Sequence, residues 1–127
     1  MALIAPHGGT LVNRVLAPEA ARAAAAEAAR LASITLSPRE TCDLEMIAIG
    51  AFSPLTGFQG EADFKSVCRD MRLANGTVWP IPVTLSVDPA TAETIKIGQK
   101  VALKDASGTV LAILTVQEKY KHDKDLE

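Results

Sequence analysis

The sequence predicts an α+β fold, with helices dominating the first half and strands gathered towards the end. Three observations carry this expectation. Apolar residues recur at helical spacing in three segments before residue 72. A β-hairpin pattern, two alternating runs around "DASG", occupies residues 100–120. At least three strands gather at the C-terminal end, and they are expected to curl into a small barrel.

Taken in order, "HGG" (His7–Gly9) reads as a turn and Leu11 to Leu16 as an extended apolar piece. Pro18 suits the first turn of a helix that "EAARAAAAEAARLA" continues with high intrinsic propensity. Its apolar face is nearly all alanine, so it buries little area. Ile34 to Leu36 reads as a short strand. Ser37 is then an N-cap, Pro38 takes the first helical position, and Glu40 is spaced to complete a capping box. Leu44, Ile47 and Ala48 form one stripe on this helix, and Cys42, Met46 and Ile49 a second, which predicts burial from more than one side. Gly50 stops it.

The next helix, "EADFKSVCRDM", places Phe64, Val67, Cys68 and Met71 on one face. Asn75-Gly76 is a turn, and a strand is expected from Thr77 to Val87. Pro80 and Pro82 remove two donors on one side of it, which places it at an edge or a bulge. "DPATAETI" resembles a short capped helix. The hairpin runs from Lys100 to Lys104 and from Val110 to Tyr120, and the mixed-charge tail is expected to be solvated.

At 127 residues the chain is expected to be one domain with one hydrophobic core. Its 48% hydrophobic and 22% charged content is that of a folded protein. The net charge of −2 has the wrong sign for gripping phosphates, so no nucleic acid is expected. No apolar run approaches the roughly 20 residues that span a bilayer, and no secretion signal opens the chain; a cytoplasmic protein without a membrane partner is the expectation. Cys42 and Cys68 lack metal-ligand spacing and are read as small buried apolar side chains.

The catalytic constellations are missing. No Gly-rich phosphate loop occurs, and the two histidines, His7 and His122, lie near opposite ends. Asp43, Glu45, Glu61, Asp63, Asp70, Asp88 and Asp105 fall mostly on helix starts or exposed faces, a structural placement. Arg69 and Arg72 are candidate anion contacts, against the commoner reading as surface ion pairs. The segment "GAFSPLTGF" (Gly50–Phe58) poses the main question: Phe52, Leu55 and Phe58 are apolar on a loop, either as core plugs or as a surface for another domain.

"PHGGTLVNR", "LSPRETCDLEMIAIGAFSPLTGF", "DMRLANGTVWPIPVTL" and "VALKDASGTVLAILTVQEKY" together strongly resemble the N-terminal domain of the ATP sulfurylase (sulfate adenylyltransferase) family, in order along nearly the whole chain. The resemblance implies a PUA-like fold, a mixed pseudobarrel with helices packed around it, spanning residues 1–127 as a single N-terminal domain. It also implies a parent reaction in which the adenylyl group of ATP passes to sulfate, with ATP and magnesium as the needs of the full-length enzyme. The family's Gln-x-Arg-Asn and His-x-x-His motifs, which supply the converging donors for that transfer, do not occur in this sequence. The expectation is therefore a chain without catalytic, cofactor or metal residues, inactive alone, acting as a scaffold that docks on the catalytic domain through Phe52, Leu55 and Phe58. An exposed docking patch would also invite homo-oligomerisation. The rival expectation is a stand-alone PUA-like RNA-binding module, since such folds serve that role elsewhere.

Overall fold

The computed structural model describes residues 3–127 and is α+β. Among the described residues a 3₁₀ turn covers His7–Gly9, and four α-helices, α1 (Pro18–Ala28), α2 (Pro38–Ala48), α3 (Glu61–Asp70) and α4 (Pro89–Thr94), alternate unevenly with β1 (Ser33–Thr35), β2 (Lys100–Lys104) and β3 (Val110–Thr115). The strands form one mixed sheet in the order β1-β2-β3, parallel between β1 and β2 and antiparallel between β2 and β3. The sheet is open, with β1 and β3 as its edges. Two strands, not three, lie at the C-terminal end.

Contacts divide the chain into two compact units. One comprises residues up to Val15, Cys42–Thr84 and Lys124–Glu127; the other comprises Leu16–Thr41 and Leu85–Asp123. In the second unit the sheet supplies the buried centre: Ile34, Leu36, Val101, Ala102 and Leu103 are all buried. Asp105 shapes the β2–β3 turn by accepting hydrogen bonds from the amides of Ser107 and Thr109, both at 3.0 Å, and from the Ser107 hydroxyl at 2.7 Å. These donors hold its carboxyl below the usual range. Asp88 caps α4 by accepting from the Thr91 amide at 2.7 Å. Lys119 donates to the carbonyls of Ala92 and Ile95 at the other end of α4, where the helix leaves acceptors unpaired.

The capping box at the start of α2 forms as the spacing predicts. The Ser37 amide donates to Glu40 Oε1 at 3.0 Å and the Glu40 amide donates to Ser37 Oγ at 3.1 Å. Glu40 then does more than cap: its Oε2 accepts from the Ser86 amide at 2.8 Å and from the Ser86 hydroxyl at 3.3 Å. Burial alone would raise its pKa, but the amide and hydroxyl donors of Ser37 and Ser86 outweigh it and hold the carboxyl below its ordinary value of 4.5.

The other unit closes around Ile47, Leu55, Val67, Leu73, Trp79 and Val83. Here three expectations are corrected. The strand foreseen at Thr77–Val87 is an extended segment whose only ladder contact among the described residues is an isolated antiparallel bridge from Val78 to Arg72. Pro80 and Pro82 remove the donors that would continue it. The second stripe of α2 is not buried: Ile49 and Cys42 are exposed and Met46 is half-buried, so the helix packs chiefly through Ile47. Both cysteines are free thiols, Cys42 exposed and Cys68 half-buried, rather than core residues. The second hairpin strand also ends at Thr115 rather than Tyr120. In α1 only Ala28 is buried, as its alanine face foretells.

Candidate functional site

The loop that follows α2 is held by its own turn and by the segment of residues 11–14 laid against it. Gly50 has φ +87°, and a Cβ there would come within 2.7 Å of the Val12 carbonyl oxygen and 2.8 Å of Leu11 Cδ1. Only glycine fits both the turn and the strand-like segment laid over it. Buried Ser53 serves both sides: its hydroxyl donates to the Gly50 carbonyl at 2.7 Å and accepts from the Val12 amide at 2.9 Å. Arg14 completes the clamp, its amide donating to the Ala48 carbonyl at 2.8 Å and its Nε to the Thr56 carbonyl at 3.1 Å.

Beyond the loop, Gln59 and Val83 bond reciprocally. The Gln59 amide donates to the Val83 carbonyl at 2.8 Å, and the Val83 amide donates to Gln59 Oε1 at 3.0 Å. These bonds replace the sheet ladder that the two prolines deny to the "WPIPV" segment.

This frame fixes the three loop apolars. Leu55 is only 5% exposed and belongs to the core cluster; Phe52 and Phe58 are half-buried and pack against it. Phe52 meets Trp79 edge-on, ring centroids 5.5 Å apart at 84°. His7 lies over the same indole at 6.1 Å, and its Nε2 donates to the Val78 carbonyl at 2.6 Å. Sequence reasoning gave His7 no role beyond a turn. Gly8, with φ +75°, explains the turn's chemistry, because a Cβ there would sit 2.6 Å from Pro54 Cγ. That close approach joins residues 46 positions apart and leaves no local signal.

Flanking this cluster, Met71, Val78 and Ile81 are 62%, 48% and 48% exposed. All three are near Trp79, whose amide donates to the Met71 carbonyl at 2.8 Å and which lies between Val78 and Ile81 in the chain, and they supply a rim of exposed apolar surface there. The Trp79 indole Nε1–H is buried without a hydrogen-bond partner among the described residues.

Arg69 and Arg72 are both exposed. Arg72 lines a shallow depression of about 440 Å³ with Ser66, Asp70, Leu73, Ala74 and Gly76, and its Nη1 is 3.5 Å from the Gly76 carbonyl. Arg69 does not line it, and an acidic residue, Asp70, does. The structure thus does not converge the two arginines. Two of the carboxylates here have structural partners: Glu61 pairs with Lys65 at 2.8 Å, and Asp63 accepts from the Ala74 amide at 2.8 Å. Among the described residues no three His, Cys, Asp or Glu side chains come together to hold a metal ion. No described helix is long and apolar enough to cross a membrane.

Residues 4–127 match the family described as PUA-like domain. The chain belongs to the PUA-like domain family. This PUA-like chain is 49% identical over 124 residues to a sulfate adenylyltransferase of Symbiobacterium thermophilum, matching 98% of this chain and 32% of that protein. It is 46% identical to a probable bifunctional SAT/APS kinase 2 of Sorangium cellulosum, across 98% of this chain and 22% of that one. Among solved structures it is similar to a hexameric APS kinase from Thiobacillus denitrificans, with TM-score 0.82 and 44% identity over 94% of this chain and 24% of that chain. The PUA-like chain therefore spans about a third of the length of the sulfate adenylyltransferases it matches, and it corresponds to their N-terminal part.

Proposed function

We propose that this chain is the non-catalytic N-terminal domain of a sulfate adenylyltransferase, whose full-length form transfers the adenylyl group of ATP to sulfate and releases pyrophosphate. The carrying observation is the asymmetry of the match: nearly all of this chain aligns at 49% identity, yet it accounts for only 32% of the relative. Adenylyl transfer to sulfate joins two anions and needs converging cations and donors to hold them. The described residues bring together no such set: Arg72 shares its depression with Asp70, and His7 is engaged with Val78 and Trp79. ATP and magnesium accordingly belong to the parent's catalytic portion, and this domain is a scaffold that docks on it in the cytoplasm. The apolar rim at Met71, Val78 and Ile81, beside half-buried Phe52 and Phe58, supports the docking role. The RNA-binding alternative draws no support from a chain of net charge −2 whose tail lysines alternate with carboxylates.

The test is a pyrophosphate-release assay. The purified chain is expected to be silent with ATP, magnesium and sulfate. A fusion that appends the remaining portion of the Symbiobacterium relative is expected to be active. Turnover by the 127-residue chain alone would overturn the reading.

A further inference from the structure

The open edge of the sheet carries a consequence for how the rest of the parent is attached. The direction of each main-chain group in β2 and β3 follows from the bonds between the strands. The Ala102 amide donates to the Ala32 carbonyl and the Lys104 carbonyl accepts from the Leu36 amide, so Ala102 and Lys104 face β1. Alternation then turns Val101 and Leu103 towards β3, where their partners are Leu114 and Ala112. The Val116 amide, which donates to the Gln99 carbonyl at 2.9 Å, keeps the same phase. Ile113 and Thr115 must therefore direct their N–H and C=O groups away from β2.

Nothing among the described residues pairs with that side. β3 ends the strand order, and no backbone bond reaches Ile113 or Thr115 from outside the sheet. Helix α1 contacts β3, but no backbone bond runs from it to Ile113 or Thr115, so it does not pair with the edge. The strand, "VLAILT", also lacks the side chains that discourage pairing. It has no charge, proline or glycine, its one register irregularity lies near its start, and Val110 and Leu111 are exposed beside the edge.

We propose that the free edge of β3 is a docking site for a β-strand from the part of the parent enzyme that this chain does not span. The recognising chemistry is main-chain: two donors and two acceptors at Ile113 and Thr115, with apolar side chains alternating beside them. The occupant comes from the same polypeptide because the relatives supply about twice this chain's length in further residues, and a tethered strand acts at an effective concentration of millimolar order. A second copy is the weaker partner, since one short strand pair falls well below the roughly 1,200 Å² of buried surface a stable dimer needs.

The inference rests on the chain being a segment of a longer sulfate adenylyltransferase, and its readout is independent of activity. Amide hydrogen exchange would be measured on this chain and on the fusion described above. In the chain alone, Ala112 and Leu114 are expected to be protected while Ile113 and Thr115 exchange freely. In the fusion Ile113 and Thr115 should slow by about 100-fold or more. Thr115→Pro removes an outward donor without touching a bond to β2; it should leave Ala112 and Leu114 within about threefold in the chain and cost the fusion at least ~10-fold of the protection gained at Ile113. An active fusion in which Ile113 and Thr115 still exchange freely would overturn this inference and leave the functional reading standing. Protected amides in an inactive fusion would do the reverse. Protection that appears in the chain alone and rises with its concentration would assign the edge to a second copy and overturn the proposed occupant.

Discussion

Gly50 and Gly9 make a controlled pair at the scale of single residues, because they share a left-handed backbone and differ in surroundings. Their φ values are +87° and +88°, yet a Cβ at Gly50 meets the Val12 carbonyl at 2.7 Å while one at Gly9 meets nothing within 4 Å. Gly9→Ala should cost only the conformational strain, about 1 kcal/mol. Gly50→Ala adds a backbone clash and should cost at least about 2 kcal/mol more, read as the difference between urea unfolding free energies. Glu40 offers a second test with a pH signature. Its folded pKa is depressed, so the stability it contributes is present above its unfolded value near 4.5 and is lost as pH falls through the folded value. Glu40→Gln should destabilise by about 1–3 kcal/mol at neutral pH. That gap should narrow on acidification below pH 4.5. A gap that stays constant down to acid would show that the carboxylate charge is not what Ser37 and Ser86 recognise.

At the scale of elements, the loop Gly50–Phe58 divides its apolar side chains between interior and surface. Leu55→Ala empties a buried position and should cost about 2–5 kcal/mol in this chain. Phe58 is half-buried, so Phe58→Ala should cost this chain less than Leu55→Ala does. If Phe58 also rests on the catalytic portion, the same change should destabilise the full-length fusion by more than it does the isolated chain. Equal losses in the two contexts would assign Phe58 to the core alone. What could be read from the letters divides along the same line between near and far. The capping box of Ser37 and Glu40, the Asp88 cap and the hairpin turn at Asp105 were legible because each is closed within a few residues. The reach of Glu40 to Ser86 was not, and neither was the fit of Gly8 against Pro54, since both depend on partners 46 positions away. The same limit explains the misplaced strand. Thr77–Val87 has strand composition, but a strand exists only where a neighbour supplies a ladder, and there Gln59 and its side chain supply reciprocal bonds instead.

For the whole molecule, the balance between charge and exposed apolar surface decides how the isolated chain behaves in solution. A net charge of −2 gives little mutual repulsion, while Met71, Val78 and Ile81 leave an apolar rim on one compact unit. If the proposed docking role holds, the chain should therefore self-associate weakly when the catalytic portion is missing. Sedimentation velocity should show a weight-average mass that rises with concentration. Because the attraction is apolar, moderate salt should leave it unchanged or strengthen it, whereas association through charges would weaken as screening sets in. Ile81→Lys puts a charge on the rim at a position 48% exposed, so it should return the chain to monomer without lowering its melting temperature appreciably. Fusion to the catalytic portion should suppress the same association by covering the rim. A chain that remains monomeric at high concentration, with or without Ile81→Lys, would show that this rim is not sticky enough to serve as a docking face, and the scaffold role would then fall to the β3 edge.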